Sequence, residues 1–179
     1  MKIHFEEFKK DIDKLVEFLT SDTWEFYGTP NPKPERIRAS YENQYYTGED
    51  CKTFWVILDE NITAGMVRIY DLQDGTPLFD IRILKQYKGI GIGTNTVNWM
   101  VDYIFSNYSD KDRIEANTRQ DNYAMRSVLH KCGFVKEAHY RKGWTGQDGS
   151  IYDAIGYGIL KEDWAKNSVT PVEWNDFKC

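Results

Sequence analysis

The chain of 179 residues predicts a single α/β domain, and three observations predict it. At roughly 150 residues per domain the length corresponds to one unit, large enough to bury a core without disulfide or metal staples. Short β-branched and aromatic runs alternate with amphipathic helical stretches, in the order ααββ-βαβαββ. No internal repeat, low-complexity tract or linker interrupts them. Residues 1–179 therefore read as one domain, with a helical segment at 1–50, a core at 51–164 and a tail at 165–179.

The first helix carries Phe8, Ile12, Leu15, Val16 and Leu19 on one apolar stripe and stops at Thr20-Ser21-Asp22. Trp24, Phe26 and Tyr27 follow, then Pro30, Pro32 and Pro34, which forbid a helix there and hold the chain extended. A second helix is predicted from Glu35 to about Tyr46, with Ile37, Tyr41 and Tyr45 on one face. Thr53–Leu58 and Ile62–Tyr70 are strands joined by a tight turn at Asp59-Glu60-Asn61. After Gly75-Thr76-Pro77, the strand Leu78–Leu84 sets Leu78, Asp80 and Arg82 opposite in face to Phe79, Ile81 and Ile83. A glycine-rich loop, Lys88–Thr94, opens a helix with Val97, Met100, Val101, Ile104 and Phe105 inward. Arg113–Asn117 is a short strand. Asp121-Asn122 caps a helix that buries Ala124, Val128, Leu129 and Cys132 and ends at Gly133. Phe134–Arg141 and Ile151–Leu160 are the last strands, with a turn through Gly143, Gly146 and Gly149 between them; the tail starts as a short helix and then frays.

Composition narrows the function classes. Hydrophobic residues at 41% and charged residues at 28% are ordinary for a soluble globular protein. A net charge of −5 makes the chain a poor partner for nucleic acid and favours a cationic ligand. No window approaches the roughly 18 apolar residues of a membrane span, so no membrane partner is expected. The start, Met1-Lys2-Ile3-His4-Phe5-Glu6-Glu7, turns acidic at once and lacks the apolar core of a signal peptide, so a cytoplasmic location is expected. Cys51, Cys132 and Cys179 show no C-x-x-C spacing and read as reduced thiols; His4, His130 and His139 form no metal-ligand pattern, and no metal is expected.

The loop Lys88-Gly89-Ile90-Gly91-Ile92-Gly93-Thr94 carries the chemistry. Glycine at every second position lets backbone N–H groups close on a ligand, and the helix that follows offers free N–H groups and positive charge to an anion. A pyrophosphate fits, with Lys88 adding charge at the rim; a glycine-rich turn without a ligand is the competing reading. The P-loop pattern is absent because Thr94 directly follows Gly93, and the dinucleotide pattern fails because Thr94 stands where its third glycine belongs.

This loop closely resembles the Arg-Gly-x-Gly-Ile-Gly acyl-CoA pyrophosphate loop of the Gcn5-related N-acetyltransferases. Asn117, Asn122-Tyr123-Ala124-Met125-Arg126 and Lys131-Cys132-Gly133-Phe134 resemble a second signature of that family. Arg141, Gly149, Asp153 and Leu160-x-Glu162-x-Trp164 resemble the branch containing the ribosomal-protein acetyltransferases. The three blocks span Leu78 to Trp164, about half the chain; the first 50 residues match no pattern of the family.

The resemblance implies a mixed, mostly antiparallel sheet whose parallel central strand pair splays apart, with flanking helices and the pantetheine arm of acetyl-CoA in the gap. It implies cofactor contacts from Arg82, Ile83 and Leu84 on the strand, from Lys88, Gly89, Ile90, Gly91, Ile92, Gly93 and Thr94 on the loop, and from Asn117, Asn122 and Met125 beyond it. The segment 1–50 becomes the substrate side and 51–164 the acyl-CoA-binding core. The partner is an amine acceptor, either a small molecule or a protein N-terminus, and a homodimer is admitted.

Acetyl transfer needs a neutral amine, a path for its proton and donors for the oxyanion. An amine with a pKa near 10 is protonated at neutral pH, so a carboxylate or a water chain must take its proton. Asp80 is the first candidate base; it resembles the substrate-facing Asp of aminoglycoside acetyltransferases, and a solvent-side charge is its bland alternative. Glu115 on the neighbouring strand is the second. Backbone N–H groups near Ile83 or Leu84 are the expected oxyanion donors. The sequence departs from the family at the general acid: Leu129 and Met125 stand where relatives carry Tyr and Ser. The thiolate of CoA is a tolerable leaving group because its pKa is close to that of Cys, so water can serve as the acid. An aminoglycoside-like acceptor suits Asp80 and the acidic balance. A CoA-binding module without catalysis is the alternative from another class.

Overall fold

The computed structural model describes residues 1–59 and 61–174. Its elements run β1 (Ile3–Glu7), α1 (Ile12–Thr20), α2 (Pro34–Glu42), β2 (Cys51–Leu58), β3 (Ile62–Tyr70), β4 (Leu78–Ile83), α3 (Ile92–Asn107), β5 (Arg113–Arg119), α4 (Tyr123–Lys131), β6 (Val135–Thr145), β7 (Ile151–Leu160) and α5 (Lys161–Lys166). One seven-stranded sheet has the order β1-β2-β3-β4-β5-β7-β6. Every neighbouring pair is antiparallel except β4 and β5, which run parallel. This is the predicted mixed sheet with flanking helices.

The two sheet faces follow from residue alternation. On one, Phe54, Val67, Ile69 and Phe79 pack under Val97, Met100, Val101 and Ile104 of α3 and Leu129 of α4. On the other, Trp55, Ile57 and Met66 pack under Leu15, Phe18 and Leu19 of α1 and Ile37 of α2. β4 thus turns Phe79 and Ile81 toward α3, and sends Asp80 and Arg82 to the face of the N-terminal segment.

The structure corrects the sequence reading at Ala124, which is exposed on α4, and in four further places. Ile3–Glu7 is an edge strand paired with β2, and Phe8 lies after it, its N–H donating to the Thr53 carbonyl at 2.8 Å rather than sitting in α1. Pro34 begins α2 instead of excluding helix, because the first helical position needs no N–H. α2 ends at Glu42, since Gln44 adopts a φ of 60° that no helix accommodates, so Tyr45 and Tyr46 lie in the following turn. β6 runs on to Thr145, absorbing Gly143 through a register irregularity between Tyr140 and Trp144. Glu60 of the predicted turn and Cys179 of the tail lie outside the described residues.

Candidate active site

The site is built where β4 and β5 part. Their ladder holds only at Leu78 opposite Glu115, where the Glu115 N–H donates to the Pro77 carbonyl at 3.0 Å. Beyond that root the two strands no longer pair, leaving a gap in the sheet. The phase of β4 decides what lines it. Leu84 N–H donates to the Ala64 carbonyl at 2.9 Å, so Leu84, Arg82 and Asp80 exchange backbone bonds with β3, while Phe79, Ile81 and Ile83 turn theirs toward the gap. The Tyr27 hydroxyl donates to the Ile81 carbonyl, in agreement with that phase. The expected Leu84 donor is therefore corrected: its N–H is engaged in the sheet, and the gap-facing N–H groups are those of Ile81 and Ile83. Arg82 likewise presents its side chain, not its backbone, to the site.

Beyond the C-terminal end of β4, the loop forms an open cradle. Gly89 and Gly91 adopt φ of 81° and 88°, the left-handed region that side-chain-bearing residues avoid. A Cβ at Gly89 would meet nothing within 4 Å, so the space before the loop is free. Gly91 caps α3 without a side-chain hydrogen bond. Among the described residues, no protein acceptor meets the six consecutive N–H groups from Gly89 to Thr94. Lys88 and Ile90 are exposed at the rim; Ile92 is buried and anchors the loop to Val56 and Leu58. The donor set, the free space and the helix N-terminus fit an anion such as the pyrophosphate of CoA. The unpaired strand edges beside it fit an amide-bearing chain.

Asn117 projects from β5 and is exposed, its backbone paired with Gly156. Asn122 is engaged as a cap: its Oδ1 accepts from Met125 N–H at 3.2 Å and its Nδ2 donates to Thr118 Oγ1 at 3.1 Å. Met125 packs partly buried against the core. Leu129 is fully buried, and Tyr123 is 73% exposed, so neither takes the place of the missing general acid.

Asp80 sits in an aromatic ring of Tyr27, Tyr45, Tyr46 and Tyr70, whose phenols its charge helps to keep protonated. Burial is the larger cause; Tyr46 and Tyr70 are each pushed up to about 12, and Tyr27 is raised further. Asp80 Oδ1 lies 3.7 Å from Arg82 Nε and has no hydrogen-bond partner among the described residues. Glu115 is not brought to this cluster. It sits at the closed root of the gap, held at 2.8 Å by Arg113, which also binds Glu137 at 2.7 Å.

The side-chain partners of three arginines escaped sequence reasoning. Arg82 stacks on Tyr27 at 3.8 Å and lies 5.3 Å from Trp24. Arg68, from β3, lies 3.7 Å from the Tyr45 ring, and its Nε donates to the Tyr45 carbonyl at 2.5 Å. Arg119, at the end of β5, stands 5.0 Å from Phe26, donates to the Glu25 carbonyl at 3.4 Å and is neutralised by Asp121 at 2.5 Å. Trp24–Tyr27 is thus tied to both sides of the gap. The alternation that puts Arg82 on the same face as Asp80 is legible in the sequence.

Residues 2–135 match the family described as Acetyltransferase (GNAT) domain. The chain belongs to the GNAT acetyltransferase family. Its chemistry is accordingly acetyl-CoA-dependent N-acetyl transfer, and acetyl-CoA is the acyl donor. No curated protein sequence matches the chain. Among solved structures, a chimera of spermidine N-acetyltransferase SpeG from Vibrio cholerae and hSSAT superimposes with a TM-score of 0.80 at 17% identity, covering 92% of this chain and 99% of that one. The Vibrio cholerae spermidine N-acetyltransferase in complex with CoA and spermine gives 0.76 at 17% identity, over 91% and 98%. A probable acetyltransferase gives 0.73 at 21%, over 90% and 94%. At these identities the likeness is one of fold. Among the described residues no helix is long and apolar enough to cross a membrane, and no group of three or more His, Cys, Asp or Glu is placed to hold a metal ion.

Proposed function

We propose that this GNAT domain acetylates a primary amine by direct attack within a ternary complex, with Asp80 accepting the proton of the incoming amine. The observation that carries this reading is the juxtaposition of the opened β4–β5 gap with a carboxylate at its side. Acetyl-CoA supplies an activated acetyl thioester. The loop amides from Gly89 to Thr94 hold the diphosphate, and the gap-facing N–H groups of Ile81 and Ile83 orient the pantetheine arm. One of those two N–H groups faces the position where negative charge develops on the carbonyl oxygen, the arrangement that contributes most to acyl transfer. Trp24–Tyr27 bounds the acceptor side and excludes water. Glu115, tied to Arg113, supports the root of the gap.

The acceptor is a small amine or a protein N-terminus. The block from Arg141 to Trp164 supports kinship with the ribosomal-protein acetyltransferases, and a homodimer in the cytoplasm completes the proposal. The test is thiol release from acetyl-CoA across an amine panel, with CoA binding measured in parallel. Amine-dependent release is expected; tight CoA binding with no turnover of any amine would favour a non-catalytic module.

A further inference from the structure

We infer that the acceptor is an amine carrying a carboxylate a few bonds from its nitrogen, as in an amino acid, and that Arg82 binds that carboxylate. This rests on the acetyl-transfer reading and narrows its substrate class.

Beside the gap, β3 and β4 bring together the carboxylate of Asp80 and the guanidinium groups of Arg68 and Arg82. Both arginines are largely withdrawn from water: Arg68 is 7% exposed, and the Arg82 side chain 13%. A buried guanidinium without an anion is costly, so the natural complement of this excess is a negative group. At this place two shielded polar atoms, Asp80 Oδ1 and Arg82 Nη1, stand without partners among the described residues. They belong to residues two apart on one face of β4, whose charged groups stand close together, Asp80 Oδ1 lying 3.7 Å from Arg82 Nε. One asks for a donor and the other for an acceptor. A zwitterionic ligand answers both, with its amine at Asp80 and its carboxylate at Arg82, whose planar fork suits a carboxylate.

The aromatic rings point the same way. Tyr27, Tyr45 and Tyr70 lie within 3.7 to 4.5 Å of the two guanidinium groups, so one face of each is already taken by a protein cation. A polyamine entering here would bring further positive charge beside Arg68 and Arg82. Arg119, the other cation at the mouth, is neutralised by Asp121 and adds no demand of its own.

The experiment compares amino acids with the amines obtained by removing their carboxylate, together with spermidine, by thiol release and by CoA affinity. The expected result is a kcat/KM at least 10-fold higher for the carboxylated member of at least one pair. Arg82→Gln should raise KM for that acceptor 10-fold or more and erase the discrimination, with CoA affinity unchanged. Arg82→Lys, which keeps the charge and loses the fork, should recover part of it. Unaltered CoA binding also reports that each variant is folded. Preference for spermidine or the decarboxylated amines, no acetylation of any carboxylated amine, or equal damage to both members of a pair overturns the inference while the acetyl-transfer reading stands. Failure of the wild-type chain to bind CoA brings down both.

Discussion

Asp80 owes its position to the phase of one strand. Its backbone is paired with Arg68 of β3, so its side chain leaves the sheet among the tyrosines and not into the core beneath α3. Asp80→Asn keeps the shape and removes the proposed proton acceptor; turnover should fall on the order of 10²-fold, and the pH dependence of kcat/KM should change. An unchanged profile takes Asp80 out of the mechanism. Gly91 is a second residue-scale case. Its φ of 88° penalises any side chain, although a Cβ there meets only Asn95 Nδ2 at 3.8 Å. Gly91→Val should therefore weaken CoA binding at least 10-fold through backbone strain and a blocked cradle. Gly75→Ala, open on all sides with no positive φ, is the matched control and should leave affinity unaltered. Equal affinities in calorimetry would remove the cradle assignment.

At the scale of elements, β4 carries the site because β3 holds it. A Cβ at Gly65 would lie 2.4 Å from the Arg82 carbonyl oxygen and 2.6 Å from Ile83, so β3 approaches β4 only through a glycine. Gly65→Ala should push β4 out of register with the cradle; a fall of at least several degrees in melting temperature with a larger loss of CoA affinity is expected, and wild-type behaviour in both would contradict it. The aromatic cluster over β4 gives a pH prediction. Unfolded tyrosines ionise near 10, whereas folded Tyr46 and Tyr70 hold their protons to about 12. Between those values the unfolded chain binds fewer protons, so stability falls as pH rises and is fully present below about 10. Urea unfolding at a series of alkaline pH values checks the sign; stability that is flat or rising there would refute it. How much of this was legible varies by element. The stripes of α1, α3 and α4 were, because helical periodicity is local. β1 was not, because five residues carry too little alternation to show against the helix that follows. Pro34 misled because a breaker inside a helix is a starter at its first turn.

Charge at the scale of the whole molecule does not carry over directly to the site. The net charge of −5 suggests a cationic ligand, while β3 and β4 set Arg68 and Arg82 beside Asp80 at the gap. Net charge sums over a surface facing water and says little about a pocket that selects its own side chains. Ligand linkage is the whole-molecule test of the cofactor. CoA at about 100 times its Kd should stabilise the domain by about 2.7 kcal/mol and raise its melting temperature by roughly 5–10 °C, while ATP and NAD should not. An equal shift with ATP would return the loop to generic nucleotide binding.

From the sequence alone came the α/β class, the amphipathic helices, the glycine cradle and the family resemblance, because each depends on residues close together along the chain. Tertiary structure alone decided which β4 groups face the gap, that Glu115 lies at its closed end, and that Arg68, Arg82 and Asp80 share one face. Those facts depend on strand pairing between distant segments, and a single-residue change of register would send every one of these side chains to the opposite face.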